Sequence, residues 1–134
     1  MSMDKKNIRI EHPLATRSAN IAWSMIGTVA GLQKWMADEI AEEDCTLVFK
    51  WGEEWSGQDV RKARVVERNK PNYVRMQWEE DEGKDCFLEL FIEQSDLTGQ
   101  LHLTIVDCCD PEDEDSLMSY WDDCLKRLHQ VSGM

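Results

Sequence analysis

Residues 110–133 run DPEDEDSLMSYWDDCLKRLHQVSG, and the architecture turns on how they are read. Asp110 offers an N-cap, and Pro111 brings the fixed φ of a first helical position. Glu112 and Asp113 set negative charge against the helix dipole. Leu117, Trp121, Cys124, Leu125, Leu128 and Val131 then fall at offsets 0, 4, 7, 8, 11 and 14, which is one face of an amphipathic helix. Lys126, Arg127 and His129 suit the C-terminal end of the dipole, and Gly133 is a stop signal. From Pro111 to Val131 such a helix is about 30 Å long.

Upstream of it the apolar period changes to two. Leu47, Phe49 and Trp51 alternate with Thr46, Val48 and Lys50, and Val74, Met76 and Trp78 alternate with Tyr73, Arg75 and Gln77. Cys86, Leu88, Leu90 and Ile92 share a further face, and Leu101, Leu103 and Ile105 form the last one. Turn signals separate these runs: Gly52 to Gly57, Pro71-Asn72, the charged run from Glu79 to Lys84 (read as a solvated connection), and Asp96 to Gly99. Residues 58–68 read as a strand without a clear face, because Val60, Ala63, Val65 and Val66 fall on both sides. Near the N-terminus, residues 7–13 read as a strand with Ile8 and Ile10 on one face. Two short helices follow. Thr16 or Ser18 caps the first, whose stripe is Ile21, Ala22, Met25 and Ile26. Gly27 ends it, and Thr28 caps the second, lined by Val29, Leu32, Trp35 and Met36.

Five or six strands joined by tight turns predict an antiparallel meander. Its apolar side needs a cover, and only the C-terminal helix is long enough to supply one. The expected fold is therefore α+β of the helix-grip kind: a curved antiparallel sheet wrapped around a long C-terminal helix, with two short helices after the first strand. One helix cannot fill a broad concave surface, so the arrangement leaves room for a ligand.

Composition sets outer bounds. The chain has 134 residues, the size of one ordinary domain, and 1–134 is read as a single domain. A hydrophobic content of 42% with six Trp argues for a packed core. Lys+Arg 15 against Asp+Glu 27 leaves a net charge of −12, which repels phosphate backbones and anionic lipids. Neither nucleic acid nor a membrane is an expected partner. Residues 1–9 contain no apolar stretch of the signal-peptide kind, and the cytoplasm is the expected compartment. The five cysteines, Cys45, Cys86, Cys108, Cys109 and Cys124, are accordingly expected as free thiols. The vicinal Cys108-Cys109 pair is read as small residues at a strand end. Asp107 and Asp110 beside it should raise a thiol pKa and so oppose reactivity.

The residues also carry a family likeness. The order of elements resembles the START-like, or birch-pollen-allergen-like, superfamily. Gly31-Leu32-Gln33-Lys34-Trp35-Met36-Ala37-Asp38, followed by Phe49-Lys50-Trp51, looks like the motif of its branch related to activators of a heat-shock chaperone ATPase. The helix from Trp121 to Leu128 looks like that branch's closing helix, and small bacterial START-like proteins of unknown function are the nearest likeness. The superfamily includes lipid and hydrophobic-ligand carriers, polyketide cyclases, ring-hydroxylase subunits and chaperone regulators. The motifs are packing motifs, which specify fold better than function.

No catalytic cluster is recognisable. His12, His102 and His129 are not spaced as ligands on one element, and His12 is the one candidate base. The acids run in blocks, Glu42 to Asp44, Glu79 to Glu82 and Asp110 to Asp115, which read as solvated faces or partner patches. No catalytic residue, metal site or cofactor is assigned. The inward aromatic positions are the informative ones. Phe49, Trp51, Met76, Trp78, Leu88, Leu103, Trp121 and Leu125 are the expected lining of a cavity of about a few hundred cubic ångströms. Trp23 and Trp55 fit no predicted face and suggest a pocket entrance or a contact patch. The expected function is non-enzymatic binding of a small hydrophobic ligand. The alternative is a protein-interaction or chaperone co-factor module using the acidic surface, and a cyclase- or hydrolase-type enzyme ranks below both.

Overall fold

Period-two segments pair wherever a tight turn lets them, and the computed structural model, which describes residues 5–53, 55 and 57–134, contains seven such strands. They are β1 (Lys6–Pro13), β2 (Glu39–Glu43), β3 (Thr46–Glu53), β4 (Gly57–Asn69), β5 (Tyr73–Trp78), β6 (Leu88–Gln94) and β7 (Leu101–Cys109). Every pairing is antiparallel, in the order β1-β7-β6-β5-β4-β3-β2. Helices α1 (Ala19–Ile26) and α2 (Val29–Trp35) carry the chain from the β1 edge to the β2 edge. A 3-10 turn at Pro111–Asp113 leads into α3 (Glu114–Ser132), which lies across the concave side. This is the expected helix grip.

The inward alternation holds on β3, β5, β6 and β7. Leu47 and Phe49, Val74, Met76 and Trp78, Leu88, Leu90 and Ile92, and Leu101, Leu103 and Ile105 are all buried. Ser18 and Thr28 cap α1 and α2 through their side-chain oxygens, which accept from the Ile21 and Gly31 amides. Gly31 has a packing reason: a Cβ there would overlap the Ser24 carbonyl oxygen of α1. Gly133 ends α3 in the left-handed region at φ 77°, donating its amide to the His129 carbonyl. Trp35 of α2 reaches Trp121 of α3, with ring centroids 6.2 Å apart, and so joins the helices at the centre of the core.

The structure corrects several sequence expectations. The strand β2 was not anticipated. It is a short edge strand with one buried residue, Ile40, too little for a visible period. Its two-residue turn to β3 places Asp44 and Cys45 at φ 47° and 65°, a conformation costly for non-glycine residues and suited to a tight hairpin. In α1 the stripe is rotated from the expected one: Ile21 is 53% exposed, whereas Trp23 is buried with Ala22, Met25 and Ile26. Val131 at the end of α3 is exposed rather than part of the buried stripe. Residues 58–68 show no single apolar face because Val60 and Val66 lie on the outward side and are exposed, opposite the inward Ala63 and Val65, and a register shift between Val65 and Glu67 then interrupts the pairing with β5.

The connection from Glu79 to Lys84 is not simply solvated. Buried Gln77 extends its side-chain amide to the carbonyls of Asp81 at 3.0 Å, Lys84 at 2.9 Å and Cys86 at 3.3 Å. Asp81 is itself buried. Nor are all the cysteines free: Cys86 and Cys108 form a disulfide with Cα atoms 5.8 Å apart, tying this connection to the end of β7. Linear spacing could not anticipate that pairing, which β6 and β7 produce by returning side by side. Cys45, Cys109 and Cys124 are free thiols.

Candidate functional site

Beside the N-terminal half of α3, the grip stays open. A cleft of about 680 Å³ lies between that half-helix and the sheet. Trp51 of β3 and Trp78 of β5 line its sheet side, and Leu117, Tyr120 and Trp121 line its helix side. The aromatic rings form a continuous arc. Trp51 meets Trp78 at 6.4 Å and Tyr120 at 6.1 Å between centroids, and Tyr120 meets Trp121 at 5.1 Å. Backbone anchors hold the arc. The Trp51 indole and the Tyr120 hydroxyl both donate to the Met36 carbonyl at the end of α2, at 2.9 and 2.6 Å. Three elements converge on that one acceptor, which limits how far the two walls can separate.

Most of the remaining lining is charged. Asp107 and Cys109 lie on the inward parity of β7, two and four residues beyond Ile105, and Asp107 is only 4% exposed. Its two carboxylate oxygens accept from the Cys108 amide at 2.8 Å and the Trp121 indole at 3.0 Å. Burial pushes the Asp107 carboxyl up to about 6, against those two hydrogen bonds and the Arg61 charge, which pull it down. Burial also raises the Cys109 thiol, with Asp107 and the acids of the α3 entry adding to the effect. The expected direction for that thiol is thus met. Burial likewise pushes the Tyr120 hydroxyl well above its ordinary range. At the mouth, the Arg61 guanidinium lies 3.9 Å from the Trp78 ring centre and pairs with Glu80. Lys5 bridges Asp110 at 3.3 Å and Asp81 at 3.8 Å.

Of the eight side chains expected to line a cavity, the structure brings Trp51, Trp78 and Trp121 to the cleft. Phe49, Met76 and Leu88 are fully buried in the packed core, with Phe49 edge-on to Trp78 at 5.0 Å. Leu103 borders a void of about 10 Å³ at the other end of the grip, too small for a ligand. Leu125 lies in a shallow groove between β1 and α3, which also brings together His12 and His129. There His12 Nε2 is 3.1 Å from the Met134 carbonyl. Trp23 is buried against the core, and Trp55 stands 83% exposed near the β3–β4 turn. Sequence reasoning missed Asp107 and Tyr120, although both were within reach of it. Asp107 continues the Leu103–Ile105 alternation, and Tyr120 lies one helical step beyond Leu117. The carboxylates of Asp110, Glu112 and Asp113 come within 4.8 Å of one another, but they are exposed or half-exposed acids for which hydration suffices.

Among the described residues, no helix is long and apolar enough to cross a membrane. No curated protein matches the chain. Several solved structures do. A structural-genomics protein from Bacteroides fragilis, solved by NMR in solution, is 32% identical with a TM-score of 0.62, covering 96% of this chain and 92% of that one. The Aha1 dimer from Colwellia psychrerythraea is similar in fold at 15% identity and TM-score 0.70, covering 97% and 96%. SA2116 of Staphylococcus aureus, a protein of unknown function, is similar at 12% identity and TM-score 0.75, covering 98% and 95%. None of the three bears an enzyme's name. The model of the START-like superfamily domain matches residues 1–134, and the chain belongs to the START-like superfamily.

Proposed function

We propose that this START-like domain is a non-catalytic binding module that holds a small molecule with an apolar body in the cleft beside the N-terminal half of α3. One observation carries the reading: about 680 Å³ of space walled by the Trp51, Trp78, Tyr120 and Trp121 arc. That volume suits a ligand of drug-like size, and aromatic walls provide large contact area with little entropy to lose. The ligand this cleft suits is amphipathic rather than wholly hydrophobic, since charged groups complete the lining. The chain's net charge of −12 argues against nucleic acid and anionic lipid surfaces as partners. We keep the cytoplasm as the compartment of this proposal. The Cys86–Cys108 pairing pulls the other way, towards an oxidising compartment, and thiol trapping in intact cells separates the two.

Native mass spectrometry after incubation with a small-molecule extract tests the binding reading. The expected result is a discrete adduct that is lost on denaturation and suppressed by Asp59→Trp. Asp59 is exposed, lines the cleft and lies opposite Trp51 on the same face of the sheet, so an indole there narrows the cleft without disturbing the core. An adduct that Asp59→Trp leaves unchanged, or no adduct across extracts, overturns it. A second reading, an interaction module for a basic protein partner, is favoured by exposed Trp55 and by the acids at the start of α3. It requires a stoichiometric partner that is released as salt rises.

A further inference from the structure

We propose that the molecule held in the cleft is an organic cation, with an ammonium or amidinium group received by Asp107. This inference rests on the binding reading and adds the ligand's chemical class. Asp107 is a buried carboxylate whose two oxygens accept one hydrogen bond each, both from uncharged donors. Among the described residues no cation lies within ion-pair distance of it. Buried carboxylates are ordinarily paired, because an isolated charge loses its hydration without compensation. Here Arg61 acts only at a distance, and among the described residues no cation is in ion-pair contact with the carboxylate.

Two of the three cations that line the cleft are already engaged. Arg61 is held by Glu80 and the Trp78 face, and Lys5 is shared between Asp110 and Asp81. Six carboxylates, those of Asp59, Glu80, Asp81, Asp107, Asp110 and Asp113, line the cleft against three cations, Lys5, Arg61 and Lys84. An anionic headgroup would meet net repulsion. A cation would meet Asp107 on one side and the electron-rich faces of the aromatic arc on the other. Both parts of an aromatic or aliphatic amine therefore find a match in this one cleft, the apolar body on the rings and the charged end on the carboxylate.

Three probes of one shape test the inference by calorimetry on the full chain at pH 7.5: 2-naphthylmethylamine, 2-naphthylmethanol and 2-naphthoate. The amine is expected to bind about tenfold or more tighter than the alcohol, with the carboxylate weakest. Asp107→Asn should erase the amine's advantage while leaving the alcohol's affinity in place. A wild-type control avoids reliance on that variant. Between pH 7.5 and 5 the amine stays charged while Asp107 gains its proton, so the amine-to-alcohol ratio should fall towards one. The groups facing Asp107 are Arg61, Asp81, Lys5, Cys109 and Tyr120, of which Asp81 is the other buried carboxylate. Asp81→Asn should leave the pH effect in place. An alcohol that binds as tightly as the amine, or a preference that survives Asp107→Asn, overturns the cationic assignment and spares the cleft. If none of the probes binds, the cleft reading falls and the assignment falls with it.

Discussion

Leu117 and Leu128 lie on the same stripe of α3, three turns apart, and they face very different surroundings. Leu128 is buried among Leu14, Met25, Leu103 and Met134, where the remaining void is about 10 Å³. Leu117 is half-buried beside a cleft of about 680 Å³. The helix and the sheet are common to both ends. What differs is the third layer. At the Leu128 end, α1 inserts Ala22, Met25 and Ile26 and closes the space. At the Leu117 end the neighbours are the Glu79–Lys84 connection and the end of β7, which rim the opening without filling it. The inward residues follow this division, aliphatic where the grip is closed, aromatic and acidic where it is open. Along a single helix, the fold thus sets a close-packed end against an open one, where binding is proposed.

Trp121 stands at the boundary and belongs to both ends, so its loss should have the largest effect. Trp121→Ala removes a fully buried ring and the indole donor to Asp107, and should cost about 4 kcal/mol in urea unfolding. A cost near that of a surface substitution would show that the two ends are not coupled through this ring. The next test sets equal truncations against each other. Leu128→Ala should cost about 3 kcal/mol, as for a close-packed core, and Leu117→Ala under about 1 kcal/mol, because half-exposed Leu117 has less contact to lose. Equal losses would mean that the cleft collapses in solution.

Replacing Cys86 and Cys108 together by Ser probes the rim. The bond closes a sequence separation of 22, so its removal should cost about 3 kcal/mol on the chain-entropy view. Amide exchange should quicken first at residues 79–86, while protection around Leu128 is retained. Uniform loosening would contradict the division between the two ends.

The smallest expected effect is on pH dependence. The folded protein holds the Asp107 proton more tightly than the unfolded chain does, its pKa lying near 6 rather than at the ordinary 3.8. Above pH 6 the buried charge is fully unfavourable. As pH falls towards 4, Asp107 gains its proton in the folded state first, and this group adds roughly 2 kcal/mol of stability. Asp107→Asn should remove that gain, which unfolding curves at pH 7 and pH 4.5 compare directly. An unchanged pH dependence would mean that Asp107 is better solvated than its burial suggests.

Much of this division was open to reading before any coordinates. The α3 stripe from Leu117 to Leu128 and the alternation on β3, β5, β6 and β7 are local periodicities, and each survives intact. Asp107 too was legible in principle, since it keeps the inward parity of Leu103 and Ile105. Other features were beyond reach. Ile40 alone could not announce an edge strand, and α1 is too short for its stripe to distinguish Ile21 from Trp23. Asp81 reads as solvated in any linear run of acids, and only Gln77 and the Cys86–Cys108 tie draw it inward.

Local period and capping chemistry determined which segments are helices and strands and which of their faces are apolar, because those properties depend on neighbours a few residues away. Where that apolar surface is sealed and where it stays open was settled by distant partners: α1 beneath one end of α3, the anchored connection beside the other, and Met36 accepting from both Trp51 and Tyr120. Periodicity states which way a side chain faces. Whether it meets another side chain or an empty cleft depends on contacts between residues far apart in the chain.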